Sequence, residues 1–92
     1  MLFYLYLARC SDGSLYTGSC SDISAREQRH NAGTGALYTR KRRPISIVYH
    51  EQFSSLLEAR RREAQIKRWS RKKKERLVLG LHPTKEQETE SQ

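Results

Sequence analysis

Three groups of residues have types and spacings suited to chemistry on a charged substrate. In the first, Tyr4 and Tyr6 precede Ser11-Asp12-Gly13, a turn signal between two runs of strand-forming residues, and Tyr16 follows it. A two-residue turn at Asp12-Gly13 would pair Arg9 with Tyr16 and set Tyr6 and Tyr16 on opposite faces. A three-residue loop, with Gly13 left-handed in a bulge, would instead pair Ala8 with Tyr16 and Tyr6 with Gly18. Both tyrosines then share a face, and Gly18 leaves open space beside Tyr6. The sequence is compatible with either register. The second group is Arg26 and His30, four apart and therefore on one face of a helix, where an arginine can clamp a phosphate bidentately. The third is Glu63, which falls in the apolar stripe Leu56, Ala59, Glu63, Ile66. A carboxylate on a buried face is costly unless it is ion-paired or binds a metal. Each group also has a plain structural reading. Tyrosines pack well in strands, Arg26 and His30 can serve as surface and helix-end residues, and Glu63 has Arg60 and Lys67 within one turn.

These residues sit in a chain of 92 with a formal net charge of +8. Fourteen of the eighteen Lys and Arg fall between Arg40 and Arg76, and the tail His82–Gln92 has one Lys against three Glu. A small body with this surplus attracts polyanions, because phosphate contacts release condensed counterions. Arg40, Lys41, Arg42, Arg43, Lys67, Arg68, Arg71 and Lys72 are therefore candidate nucleic-acid contacts. RNA offers the same phosphates as DNA. No apolar run is long enough to span a bilayer, and Met1–Ala8 lacks the basic start of a signal peptide, so a cytoplasmic protein without a membrane partner is expected. Cys10 and Cys20 form neither a disulfide framework nor a zinc spacing and are expected as free thiols. His30, His50 and His82 lie too far apart to suggest a site.

The elements that must position these groups follow from patterning. Phe3–Arg9 and Ser14–Ser19 read as strands, and Ser21 or Asp22 caps a helix to about His30. A basic loop ends at Pro44, and Ile45–Phe53 alternates as a third strand. Ser55 then opens a helix to about Trp69 with a capping-box pattern, and Ser70 caps a last basic helix ending near Gly80. The expected fold is α+β: a small three-stranded, mostly antiparallel sheet flanked by helices, in the order β-β-α-β-α-α. One domain over residues 1–80 and a disordered acidic tail over 81–92 complete the reading.

Taken together, the groups carry a family resemblance. Tyr4-Leu5-Tyr6 stands where the GIY-YIG nuclease superfamily has Gly-Ile-Tyr, and Tyr16-Thr17-Gly18 stands where it has Tyr-Ile-Gly. Arg26, His30 and Glu63 follow in order. With Asp12–Gly18, Arg40–Pro44 and Arg62-Glu63-Ala64-x-Ile66-Lys67, the chain resembles the small stand-alone bacterial members, relatives of the N-terminal nuclease domain found in excinuclease. The resemblance spans about residues 3 to 78 and implies a DNA endonuclease, in a DNA-repair setting, that hydrolyses phosphodiesters by in-line water attack. It further implies one divalent metal, Mg2+ or in its place Mn2+, held by Glu63. Arg26 would stabilise phosphate charge, Tyr6 would be the general base with His30 accepting its proton, and Tyr16 would position water or phosphate. Gly13 and Gly18 would be structural.

Either tyrosine could be the base at this level, and a nearby cation is expected to lower the phenol pKa from about 10. Three positions depart from the family pattern. Tyr4 replaces its first Gly, Ser19 stands where many members have Lys, and no Asn follows Asn31. The competing reading is a non-catalytic basic module that keeps the nuclease fold and grips nucleic acid. A third is a basic protein docking on an acidic protein or ribosome. A protein partner could supply specificity, since so small a domain has little surface for reading bases.

Overall fold

The computed structural model describes residues 1–81. The acidic tail expected from residue 81 onward therefore lies, from His82, outside the described residues. Strands β1 (Phe3–Arg9) and β2 (Leu15–Cys20) form an antiparallel hairpin in which Ala8 faces Tyr16 and Tyr6 faces Gly18. This is the three-residue-loop register. Asp12 selects it by accepting from both the backbone N–H and the hydroxyl of Ser14, at 3.0 and 2.6 Å. Gly13 closes the loop at φ +87°, a conformation that costs glycine little.

Strand β3 (Ser46–Phe53) pairs antiparallel with the other side of β1, so the sheet order is β2-β1-β3 and β1 is central. Leu5, Tyr6, Leu7 and Ala8 are accordingly fully buried. Tyr6 and Ala8 face one cluster with Cys10, Cys20 and Ile45, while Leu5 and Leu7 face another with Ile66 and Leu77. Val48 falls between the Leu7–Tyr49 and Ala8–Ile47 pairs. That extra residue lets Ile47 pack on the Tyr6 side and Tyr49 on the Leu5 side.

Helix α1 (Ile23–Asn31), capped by Asp22, covers the Tyr6 face. Helices α3 (Leu56–Lys67) and α4 (Arg71–Val78), capped by Ser55 and Ser70, cover the Leu5 face. Between α1 and β3 lies α2 (Leu37–Arg40), a four-residue helix in a segment expected to be loop throughout. The other boundaries fall within two residues of those expected. No described helix is long and apolar enough to cross a membrane. Cys10 and Cys20 are buried free thiols.

The buried stripe of α3 is Ala59, Arg62 and Ile66, one residue around from the expected stripe. Its cause lies on β3, where the inward side of the strand includes Glu51. The Arg62 guanidinium meets that carboxylate at 2.9 Å, with side chains only 5% and 8% exposed. Arg62 also donates to Gln65 and lies over the Trp69 ring, so the helix buries a compensated cation rather than Glu63.

Candidate active site

Tyr6 projects from the centre of the sheet toward α1, and Gly18 on β2 makes room for it. A Cβ at Gly18 would lie 2.6 Å from both Cζ and Oη of Tyr6. A Gly18→Ala variant is therefore expected to lose about 1–3 kcal/mol in chemical denaturation through overpacking, and to shift Tyr6 from its partner. An unchanged midpoint would mean that the ring has room to move.

That partner is His30, 1% exposed, whose Nε2 lies 2.7 Å from the Tyr6 hydroxyl. The histidine's other nitrogen, Nδ1, lies 2.9 Å from Thr39 Oγ1. Thr39 has one hydroxyl proton and donates it to the Ala36 carbonyl at 2.9 Å. Its oxygen must then accept from His30 Nδ1–H, which leaves Nε2 bare to accept the Tyr6 proton. Burial, followed by Arg26 and Arg29, pushes the His30 pKa down and keeps the ring neutral. The Tyr6 phenol is pushed up, above its ordinary value, because burial outweighs the lowering by Arg26. This corrects the expectation of a cation-lowered tyrosine: a fully buried phenolate loses more hydration than one guanidinium returns.

Tyr16 is half-buried at the mouth of this pair, with its ring 5.5 Å from His30 and 6.3 Å from Tyr6. On its outer side it stacks on Tyr38, which in turn carries the Arg42 guanidinium at 3.8 Å. A cleft of about 180 Å³ opens here, bounded by Tyr16, Arg26, Arg29, His30, Thr34 and Gly35. Thus Tyr6, Tyr16, Arg26 and His30 are brought together.

Glu63 comes from the opposite layer. It meets the others through Ser19 on β2, an edge strand of the sheet. Arg26 donates to the Ser19 carbonyl at 3.1 Å, while the Ser19 hydroxyl donates to Glu63 Oε1 at 2.7 Å. The free side of β2 is where groups from α1 and α3 converge. Lys67 holds the other Glu63 oxygen at 2.9 Å, with side chains 52% and 18% exposed respectively. A half-exposed lysine can swing away, and one carboxylate with room for waters suits a hard divalent cation that keeps much of its hydration. Among the described residues no group of three or more His, Cys, Asp or Glu converges. Glu63 would thus hold such an ion without a cluster of three protein ligands.

The basic loop is less free than its composition suggests. Arg42 pairs with Asp12 at 3.1 Å, and Arg40 and Arg43 donate to backbone carbonyls of Gly35 and Asn31. Arg71 donates to the Gly13 carbonyl, joining α4 to the hairpin turn. Lys41, Arg68 and Lys72 are exposed. Sequence reasoning passed over Thr39, Gly35, Arg29 and Ser19 as site residues. Gly35 packs so tightly that a Cβ there would lie 2.5 Å from His30 Nδ1. A signal was available in the paired glycines at 33 and 35.

The model of the family described as the GIY-YIG catalytic domain matches residues 2–76. The chain belongs to the GIY-YIG family. Among curated proteins, the UPF0213 protein of Staphylococcus aureus strain Mu3 is 49% identical over 75 residues, 82% of this chain and 92% of that one. Two solution NMR structures are similar to it. The UPF0213 protein BH0048 of Bacillus halodurans is 42% identical with a TM-score of 0.56, covering 98% of this chain and 96% of that one. The protein EF2693 of E. faecalis is 40% identical with a TM-score of 0.59, covering 87% and 85%. Both tyrosine motifs, Arg26, His30 and Glu63 fall within the span of the GIY-YIG match.

Proposed function

We propose that this GIY-YIG protein is a divalent-metal-dependent endonuclease that hydrolyses DNA phosphodiester bonds. The observation that carries the reading is the Tyr6–His30 hydrogen bond, set in a cleft with Arg26 and joined through Ser19 to Glu63. A neutral histidine with a bare Nε2 accepts a proton from the phenol as the phenol oxygen takes one from an attacking water. The water oxygen bonds to phosphorus opposite the leaving oxygen, which departs with its electron pair and is protonated by solvent. Tyrosinate never needs to accumulate, so the raised Tyr6 pKa is no obstacle. Arg26, which donates to the Ser19 carbonyl, would turn toward the phosphate, where it stabilises the developing charge. Tyr16, at the mouth, orients water or phosphate. Glu63 is the residue that would hold Mg2+, or Mn2+, which when bound neutralises charge on the phosphate and the leaving oxygen. Arg40, Lys41, Arg42, Arg43, Lys67, Arg68, Arg71 and Lys72 supply the electrostatic grip on the backbone, consistent with a net charge of +8. A cytoplasmic repair nuclease, with any base or branch specificity supplied by a partner, is the setting this chemistry fits.

One observation favours a second reading. The Glu63–Lys67 pair satisfies the carboxylate without a metal, as a non-catalytic DNA- or RNA-binding module would require. The two readings separate on plasmid, single-stranded and branched DNA incubated with Mg2+, with Mn2+ and with chelator. The endonuclease cuts with either ion and stops when the ion is chelated. Salt-sensitive binding with no cutting under any ion would establish the binding module.

A further inference from the structure

Tyr16 separates two concavities. Beyond it from the His30 cleft lies a groove of about 340 Å³ lined by Leu15, Tyr16, Thr17, Tyr38, Lys67 and Lys74. We propose that this groove is a second phosphate subsite, which holds the phosphodiester neighbouring the one cut, with Lys74 as its main ligand. Its use beside a cut phosphate rests on the endonuclease reading; its affinity for a strand does not.

Charge supplies the first sign. Lys67 from α3 and Lys74 from α4 converge on the groove. Glu63 neutralises Lys67, but among the described residues no carboxylate pairs with Lys74. Lys74 is nonetheless half-buried, and burial together with the Lys67 ammonium pushes its pKa down. An ammonium that is partly desolvated, beside a like charge and without a counter-charge, is stabilised by an anion. The wall supplies a second, independent sign. Thr17 is 3% exposed, and its hydroxyl is the buried side-chain polar group, among the described residues, that has no hydrogen-bond partner. Such a group is costly to leave unmatched in a folded protein. Finally, Tyr16 is the shared wall of groove and cleft. A strand crossing its edge meets Arg26 on one side and Lys74 on the other, so consecutive phosphates have consecutive cationic seats. This continuity favours a polymer over free phosphate.

The test is fluorescence anisotropy of the full chain on a short labelled single strand, in chelator so that nothing is cut, across a salt series. Lys74→Gln is expected to weaken binding about tenfold and to flatten the salt dependence by about one phosphate contact, a slope change of roughly 0.7. Lys74→Arg is expected to restore both. Arg61→Gln removes the same charge from an exposed residue two along from Glu63, hence on the opposite side of α3, and should leave the slope in place. Equal slopes for wild type and Lys74→Gln overturn the subsite, as does inorganic phosphate competing at Lys74 as well as the strand does. A wild type that shows the Lys74 dependence yet never cuts with Mg2+ keeps the subsite and ends the nuclease reading. A wild type that cuts, with no Lys74 dependence in binding, ends the subsite alone.

Discussion

Replacing Tyr6 with phenylalanine is expected to slow DNA cutting by about 10²–10⁴-fold, the range for loss of a positioned proton acceptor. The substitution keeps the ring that Gly18 accommodates and removes only the hydroxyl that lies 2.7 Å from His30. Affinity for DNA should hold, because the residue is sealed from solvent and makes no surface for the backbone. Stability should fall by about 1–3 kcal/mol, the cost of leaving His30 Nε2 buried without a donor. Tyr16→Phe should show a smaller loss, since that hydroxyl orients rather than relays. Equal losses in the two variants, measured in single turnover, would reassign the base. The same geometry sets a pH dependence. The folded pKa of His30 is depressed, so the unfolded chain takes up a proton below about 6.5 while the native ring does not. This stability contribution is therefore complete above about 6.5 and declines as pH falls toward the depressed folded value. Cutting should fail at still lower pH, where Nε2 carries a proton and cannot accept one from Tyr6. An acid limb that persists unchanged in Tyr6→Phe would assign it to another group.

Arg62→Met is expected to destabilise the domain by about 3–5 kcal/mol, the cost of stranding one partner of a buried ion pair. Glu51, only 8% exposed, loses its counter-charge, and Tyr49 remains as a single hydroxyl donor to it. Burial and then Glu51 already push the Tyr49 phenol above its ordinary pKa, so that hydroxyl stays protonated and donates. A Glu51→Gln change in the Arg62→Met background should recover much of the loss by removing the stranded charge. Urea unfolding of Arg62→Met, Glu51→Gln and the double variant measures the coupling. A cost below about 1 kcal/mol for the single change would mean the pair is solvated rather than buried.

The residues that were legible in the sequence are those whose signals are local. Arg26 and His30 are related by helical period alone, and both arrive at the cleft. The glycine–tyrosine packing at Gly18 and Tyr6 follows once the register is known. Asp12-Gly13 is compatible with two turns, and the choice falls to the Asp12–Ser14 hydrogen bonds. The α3 stripe misled because a window along one helix does not contain Glu51, whose inward position on β3 makes Arg62 turn inward in place of Glu63. Ser19 stood out only as a departure from the family pattern. Its role depends on β2 being an edge strand, and strand order is not written in the local sequence. Helix α2 is four residues long, too short for an amphipathic period, and Thr39 gains meaning only through His30.

In the proposed nuclease, the edge of β2 unites a proton-relaying pair from one layer with a metal-holding carboxylate from the other. Glu63→Gln tests this union most directly, by strand cutting with Mg2+ and by binding of the same DNA in chelator. The variant is predicted to bind at least as tightly as wild type, since Lys67 loses its counter-charge, and to cut at least about a hundredfold more slowly, in keeping with the several kcal/mol that a bound metal contributes. A Glu63→Gln protein that cuts at the wild-type rate would contradict it.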